Sequence, residues 1–140
     1  MSLSKIYQLS SPNLWNLIDD DFGNSGGVYK LFSKKNEQRK PINRLLKTDI
    51  NGILYIGKAD SFVNRIITLQ KVIHPTKYKS TNHSGGRRYN RNSRISDNYP
   101  YHSLYIELSQ HNNPKERESE ILNSYFQEFG EVPPLNANDQ

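Results

Sequence analysis

Three short stretches of the chain have the apolar spacing of β-strands. "VYKLF" (28–32) and "ILYI" (53–56) are mostly apolar, whereas "YHSLYIEL" (101–108) alternates apolar and polar positions. Unbroken apolar runs are typical of strands buried on both faces, and alternation is typical of strands with one buried face. The first two strands are neighbours along the chain, which favours an antiparallel pair. We therefore predict an α+β fold with a small, mostly antiparallel, three-stranded sheet flanked by helices.

Helical spacing and capping residues predict three helices around this sheet. The first lies within "SPNLWNLIDDDF" and begins after the cap Ser11, and its expected inward residues are Leu14, Trp15 and Ile18. The second covers about 61–73, where apolar residues recur at intervals of four, three and four: Phe62, Ile66, Leu69 and Ile73. The last helix begins at Asn113 and ends at Gly130.

The length of 140 residues favours one domain, large enough to bury about two thirds of the surface of its unfolded chain. Within a single domain of residues 1–140, we assign 1–22 to an N-terminal helical extension and 33–51 and 75–98 to insertions or loops. No apolar run approaches the length of a membrane span, no signal peptide opens the chain, and there is no cysteine. We therefore expect no membrane partner, no disulfide and no thiolate metal site, and we assign the protein to the cytoplasm.

Positive charge is concentrated in one part of the chain. The net charge is +5, and residues 61–96 contain no Asp or Glu. The basic side chains of this stretch are Arg65, Lys71, Lys77, Lys79, Arg87, Arg88, Arg91 and Arg94. A block of one sign that is interleaved with Tyr and Asn is typical of a surface that binds phosphates. A flexible basic loop, with "HSGGRR" as its centre, is the alternative interpretation.

The stretch "GILYIGKADSFVNRI" (52–66) passes from a buried strand directly into a helix, with Lys58 and Arg65 near the junction. With 100° between successive helical residues, Arg65 lies about 70° from the middle of the apolar stripe of that helix. We therefore expect its side chain at the edge of the packed face rather than on the far side. Ordinary solvated charge is the alternative.

One carboxylate of the last helix is predicted to point inward. The apolar residues that define the buried face are Ile121, Leu122, Tyr125, Phe126 and Phe129. Glu118 falls within about 15° of the centre of that face, whereas Glu120 lies nearly opposite and Glu116 is also well off it. A carboxylate on the core side is costly unless it is paired, protonated or bound to a cation. Glu118 is therefore a candidate functional residue, and an outward position or a pair with Arg65 are the alternatives.

Five short features occur in the order that is typical of one nuclease superfamily. They are "GVY" (27–29), "YIG" (55–57), Arg65, Glu118 within "ESEIL", and Asn136 after two prolines. In order and content they resemble the GIY-YIG nucleases. The stretch "YIGKADSFVNRI" is especially similar to the N-terminal nuclease domain of the incision subunit of nucleotide excision repair. The matching features cover residues 26–136, which is nearly the whole chain.

The resemblance implies an endonuclease that hydrolyses phosphodiesters with one divalent cation, Mg²⁺ or Mn²⁺. It makes Glu118 the metal ligand and Arg65 the residue that binds the phosphate. Tyr29 is expected to activate the attacking water, with Tyr55 as the alternative base. Because the pKa of a tyrosine is normally about 10, Lys58, Arg65 or the metal has to favour the phenolate. The expected structural residues at the site are Gly27, Gly57 and Asn136.

Three departures from the family pattern affect these expectations. The first tripeptide has Val28 at its centre, which keeps the tyrosine that follows. The connection over residues 30–54 is longer than in compact members and implies an insertion. Leu69 stands where many members have His or Tyr, and His74 and His83 are the two candidates to substitute. We favour His83 because it precedes two glycines in the basic segment.

We expect the partner to be DNA, either duplex or branched, bound through its phosphate backbone. The residues assigned to this contact are Lys77, Lys79, Arg87, Arg88, Arg91 and Arg94. Two other functions stay open at this point. One is a binding domain that keeps the fold without the chemistry, and the other is an RNA-directed domain, which explains the positive charge equally well.

Overall fold

The computed structural model describes residues 3–74 and 83–137, and it has an α+β architecture as predicted. The strands, in chain order, are β1 (Ser4–Gln8), β2 (Gly27–Lys35), β3 (Gln38–Arg39), β4 (Ile42–Asn43), β5 (Thr48–Asp49), β6 (Ile53–Ala59) and β7 (Leu104–Gln110). The helices are α1 (Leu14–Phe22), α2 (Phe62–Ile73), α3 (Ser84–Arg91), α4 (Ser93–Asn98) and α5 (Pro114–Phe129). None of these helices is both long and apolar enough to cross a membrane.

The main sheet is antiparallel and has five strands instead of the three that we predicted. β2 lies at its centre, with β7 on one side and with β6 and the short β3 on the other. β1 extends the sheet beyond β7. The sequence did not indicate β1 because Tyr7 is its only buried residue, so an edge strand of this kind lacks a clear apolar alternation. The described part of the predicted helical extension at 1–22 therefore contains a strand and a helix.

The predicted insertion at 33–51 contains the end of β2, the strand β3 and a separate hairpin of β4 and β5. Asp49, which is fully buried, organises the end of this hairpin. Its carboxylate accepts hydrogen bonds from the backbone N–H groups of Asn51, Gly52 and Ile53 and from the hydroxyl of Tyr125. These bonds place the start of β6 against α5.

The first helix differs in detail from the prediction. Its N-cap is Asn13 instead of Ser11, and its buried residues are Leu14, Ile18 and Phe22. These three positions are separated by four residues each and form one stripe. Trp15, which was expected to point inward, is 49% exposed because it lies 100° from Leu14 around the helix.

The predicted boundaries of α2 and α5 are confirmed, and so are their predicted buried faces, with one exception. The four residues of the predicted stripe of α2 are buried. α5 has Asn113 as its N-cap, Pro114 at its first position and Gly130 in a left-handed conformation at its end. The exception is Phe126, which is 47% exposed, whereas Leu122, Tyr125 and Phe129 are buried.

Residues 84–91 and 93–98 form helices, so the described part of the segment 75–98, which we assigned to an insertion or loop, is mostly helical. Two glycines near the start of α3 allow this by close packing. A Cβ atom at Gly85 would lie 2.7 Å from the Tyr55 ring, and one at Gly86 would lie 2.6 Å from a methyl group of Val72. The glycines therefore let α3 lie directly against β6 and α2, where any larger side chain would displace it.

Two apolar clusters cover the two faces of the sheet. Helices α1, α2 and α3 pack on one face, which includes Tyr29, Leu31 and Tyr55. Helix α5 packs on the other face, against Val28 and Ile56. Because strand residues alternate between faces, the two tyrosines of the predicted site lie on the side of α2, and Glu118 comes from the side of α5.

Candidate active site at the end of strand β6

Tyr29 and Tyr55 are diagonal neighbours on one face of the sheet. In the antiparallel register Tyr29 pairs with Gly57, and Tyr55 pairs with Leu31. The two rings have their centres 6.0 Å apart, and both residues are buried. The ring of Tyr29 lies across Gly57, where a Cβ atom would be only 2.5 Å from the Tyr29 hydroxyl. Gly57 is therefore needed because the tyrosine occupies the space of a side chain.

Position 27 has room only for glycine, because the backbone of β7 lies close to it. A Cβ atom at this position would collide with the backbone oxygen of Ser109 on β7. Gly27 pairs with Ala59 on one side and with Gln110 on the other, so it lies at the end of the sheet where β2, β6 and β7 meet. Both glycines of the site are thus explained by packing of neighbouring groups.

An open cavity of about 590 Å³ lies beside the end of β6. Five residues that the sequence analysis assigned to the site line it: Tyr29, Tyr55, Lys58, Arg65 and Glu118. They come from β2, β6, α2 and α5, and they are brought together from across the chain. The other lining residues were missed from the sequence: Ala59, Asp60, Ser61, Asn64 and Thr68. Ser61, Asn64 and Thr68 follow the helical spacing of Arg65, which is a signal that could have found them.

Glu118 lies on the side of α5 that faces the sheet, as the helical geometry predicted. It is half-buried, whereas Glu116 and Glu120 are exposed. Burial raises the pKa of Glu118, and the charges of Lys58 and Arg65 together with a backbone hydrogen bond at Lys58 oppose this increase. The carboxylate is thus partly desolvated and lies close to two positive side chains.

Tyr29 has an electrostatic environment of opposing effects. Burial raises its pKa most, and a negative charge on Tyr55 would raise it further. The charge of Arg65 and a hydrogen bond from its side chain lower the pKa, and Glu118 raises it slightly. In this structure the net effect favours the neutral phenol. A phenolate at Tyr29 therefore needs additional positive charge in the cavity.

His83 is fully buried and contacts both tyrosines. Its Nε2 lies 2.7 Å from the hydroxyl oxygen of Tyr29, and its ring is 5.2 Å from the ring of Tyr55. Neither histidine is a lining residue of the cavity, and the ring of the alternative, His74, lies 5.2 Å from that of Tyr101. Of the two histidines that we considered in place of Leu69, the structure puts His83 at the tyrosine.

Asn136 joins the C-terminal segment to the free edge of β6. Its Oδ1 accepts a hydrogen bond from the backbone N–H of Ile56, and its Nδ2 donates to the carbonyl of the same residue, both at 2.9 Å. The backbone N–H of Leu135 donates to the carbonyl of Leu54. The side chain and the tail thus take the place of a neighbouring strand next to Tyr55.

The basic residues of the predicted nucleic-acid contact have different environments. Arg87, Arg91 and Arg94 are exposed on α3 and α4. Arg88 is half-buried and donates a 2.8 Å hydrogen bond to the carbonyl of Leu135, so its guanidinium ties α3 to the C-terminal tail. Lys77 and Lys79 lie outside the described residues.

The oxygen donors of the cavity fit a hard divalent cation. Glu118 and Asp60 supply carboxylates, and Ser61 supplies a hydroxyl. Mg²⁺ is usually held by one or two carboxylates and keeps several waters, so a dedicated cage of side chains is not required. Within residues 3–74 and 83–137 there is no cluster of three or more His, Cys, Asp or Glu side chains that could hold a metal. The carboxylates that the cavity offers to a cation are therefore those of Glu118 and Asp60.

Comparisons with protein-family models, curated proteins and solved structures find no match to this chain.

Proposed function

We propose that this protein is a GIY-YIG-type endonuclease that hydrolyses phosphodiester bonds of DNA with one Mg²⁺ or Mn²⁺ ion. The observation that carries the proposal is the common cavity of Tyr29, Tyr55, Lys58, Arg65 and Glu118. Sheet packing alone explains the burial of the tyrosines. It does not explain why Glu118 from α5, Arg65 from α2 and Lys58 from the end of β6 line an open cavity with them.

The reaction requires that negative charge be neutralised, because both the phosphodiester and the attacking hydroxide are anionic. Arg65 binds the phosphate, and its planar guanidinium contacts two oxygens at once, which a lysine does not. Lys58, which is exposed at the rim, adds a second positive charge. Glu118 holds the cation, which when bound neutralises phosphate charge and stabilises the leaving oxygen.

Tyr29 orients and deprotonates the attacking water. Tyr29 lines the cavity, and the charge of Arg65 and a hydrogen bond from its side chain oppose the rise of the Tyr29 pKa that burial causes. The positive charge that the cavity gains with a cation at Glu118 favours the phenolate further. Tyr55 packs beside this ring and completes the wall of the cavity.

The exposed arginines of α3 and α4 bind the DNA backbone on either side of the cleaved bond. Arg87, Arg91 and Arg94 are exposed on the two helices that follow His83 in the chain. Contacts of this kind to phosphate position a protein on the duplex without reading its sequence. We assign the reaction to the cytoplasm, where Mg²⁺ and DNA are both present.

One observation favours a second function, a nucleic-acid-binding domain without catalysis. Burial raises the pKa of Tyr29, which favours the neutral phenol over the phenolate that catalysis needs. The exposed arginines serve binding whether or not the cavity is active, and they do not distinguish DNA from RNA.

A cleavage assay tests the proposal. Supercoiled, linear and branched DNA are each incubated with the protein and Mg²⁺ or Mn²⁺, beside Glu118→Ala as the inactive control. The proposal requires nicking or linearisation that depends on the metal and is abolished in the control. Competition between duplex DNA and RNA in the same assay identifies the preferred substrate. Binding without cleavage under every metal condition would support the second function instead.

A further inference from the structure

Both ring nitrogens of His83 have hydrogen-bond partners in a fully buried environment. Nδ1 lies 3.1 Å from the backbone N–H of Gly86, and Nε2 lies 2.7 Å from the hydroxyl oxygen of Tyr29. His83 is the N-cap of α3, and the bond to Gly86 satisfies an N–H group in the first turn of that helix. The imidazole therefore connects the start of α3 to the proposed catalytic tyrosine.

The bond to Gly86 determines the tautomer. A backbone N–H can only donate, so Nδ1 must accept and carries no proton. The proton of the neutral imidazole is then on Nε2, the nitrogen that faces Tyr29. It follows that His83 donates a hydrogen bond and the oxygen of Tyr29 accepts it.

We infer that His83 is a positioning residue, held by the N-terminus of α3 as a fixed Nε2–H donor that orients the oxygen of Tyr29. This inference rests on the proposed function, in which Tyr29 activates water. A phenol oxygen accepts two hydrogen bonds and donates one. His83 and Arg65 supply the two donors, so the remaining position of the oxygen is directed to the cavity that Tyr29 lines.

The proton balance follows from this arrangement. Before the reaction Tyr29 loses its proton to solvent through the open cavity, because Nε2 of His83 already carries a hydrogen. The phenolate then takes one proton from the bound water, and the resulting hydroxide forms the new bond to phosphorus. The bond to the leaving oxygen breaks, and that oxygen keeps the electron pair and takes a proton from solvent. His83 exchanges no proton in either step and stabilises the phenolate by donation alone.

The groups around His83 keep its ring neutral. Tyr29 on β2 and Tyr55 on β6 pack against the imidazole, and the positive charges nearby are Arg65 on α2 and Arg87 and Arg88 on α3. Burial has the largest effect, and these charges add to it, so that the pKa of His83 falls to about 3. A second proton on the ring would also remove the acceptor of the Gly86 bond.

The position of α3 is itself fixed by contacts to three other parts of the fold. Gly85 lies against the Tyr55 ring, and Gly86 against Val72. Asn90 donates to the carbonyl of Val72, and Arg88 donates to the carbonyl of Leu135. The helix that holds His83 is thus attached to β6, α2 and the C-terminal tail.

Nitrogen-15 NMR of the histidine rings tests the tautomer without any substrate. The full chain is labelled, and the signal of His83 is identified by its loss in His83→Gln. We expect the Nε2–H tautomer with no titration of His83 between pH 5 and 8. In Tyr29→Phe the tautomer should stay the same, because Gly86 still donates, and the Nε2–H signal should shift. An Nδ1–H tautomer, or a charged ring in this pH range, overturns the inference.

Two variants separate donation from proton transfer in the cleavage assay. His83→Gln retains an acceptor for Gly86 and an N–H for Tyr29, but it cannot act as a base. We expect it to keep cleavage within about 10-fold of the parent, whereas His83→Ala should lose at least about 100-fold. Thermal unfolding of both variants checks that each is folded. Equal losses in the two folded variants overturn the positioning role.

The outcomes also separate this inference from the proposed function. Suppose that the parent cleaves DNA. If His83 then has the Nδ1–H tautomer, or if His83→Gln and His83→Ala are equally impaired, only the inference about His83 fails. If the parent cleaves no substrate with any metal, the proposed function fails and the catalytic role of His83 fails with it. The NMR result then still decides whether His83 donates to Tyr29.

Discussion

Tyr29 lies directly opposite Gly57 in the antiparallel pair of β2 and β6, and its ring fills the space of the missing side chain. The ring of Tyr29 crosses its neighbour in this way, and Tyr29 lines the cavity beside β6. The glycine of the second tripeptide (55–57) thus makes room for the tyrosine of the first (27–29), because the two tripeptides pair across the sheet. The arrangement predicts how the site responds when this space is filled.

Gly57→Ala should displace the Tyr29 ring, because a methyl group at this position would collide with its Cζ and hydroxyl. Overpacking of this kind typically costs about 1–3 kcal/mol of folding free energy. Chemical denaturation measures the loss. Tyr29→Leu combined with Gly57→Ala should recover part of the stability without restoring cleavage, because the obstructing ring is gone. A single variant with unchanged stability and activity would contradict the packing described here.

Glu118→Gln should fold normally and bind DNA, yet cleave at least about 100-fold more slowly, because the amide lacks the charge that holds a cation. Glu120→Gln is the matched control, since Glu120 is exposed on the same helix. We expect it to stay within a few-fold of the parent. Initial rates of plasmid nicking at saturating Mg²⁺ provide the comparison. Reversed outcomes for the two residues would mean that the metal is held on the outer face of α5.

The folding stability should decrease as the pH falls from about 6.5, partly because His83 resists protonation. Its pKa is lowered to about 3 in the folded protein, so the unfolded chain binds more protons between pH 3 and 6.5. A histidine with a depressed pKa therefore stabilises the fold above the pKa of the unfolded chain and loses this effect at lower pH. The contribution is on the order of 1 kcal/mol per pH unit.

Denaturation of the parent and of His83→Gln between pH 5 and 8 isolates this effect, since the other titrating groups are common to both. The free energy of unfolding of the parent should fall more steeply below pH 6.5 than that of the variant. Parallel curves would show that His83 is protonated in the folded state.

Asn136→Ala should destabilise the fold by roughly 2–4 kcal/mol, because it removes two hydrogen bonds and leaves the backbone N–H and C=O of Ile56 without them. Asn123→Ala, at an exposed position of α5, is the control and should have little effect. Urea denaturation gives the two values. If both variants were equally stable, the C-terminal segment would not be an essential cover for β6.

Replacing Arg87, Arg91 and Arg94 with Gln should weaken DNA binding. The slope of the logarithm of the binding constant against the logarithm of the salt concentration should fall by nearly one unit for each of these arginines that contacts a phosphate. Lys5→Gln removes a charge from the exposed edge strand β1 and should leave the slope unchanged. Arg88→Gln should differ from the other arginines, because it breaks a bond to Leu135 and lowers stability. Binding titrations at several salt concentrations measure these effects. An unchanged slope in the triple variant would place the DNA contact on another surface.

The periodicity of apolar residues along one helix or strand was sufficient to predict which face of that element is buried. The spacing of Phe62, Ile66 and Leu69 predicted the buried face of α2, and the same geometry turned Glu118 inward on α5. The α+β class followed from these helices and the apolar runs of the strands. These features depend on the rotation per residue along one element, which a sequence specifies directly.

The tertiary structure decided the features that depend on the approach of distant segments. β1 is a strand because β7 pairs with it, and its own residues are mostly exposed. The segment after His83 is helical because its glycines let it lie against Tyr55 and Val72, although glycines normally disfavour a helix. The bond between His83 and Tyr29 joins residues 54 positions apart. The sequence by itself determined which residue types are present at the site and which face of a helix each occupies, whereas only packing between elements decided which of them touch.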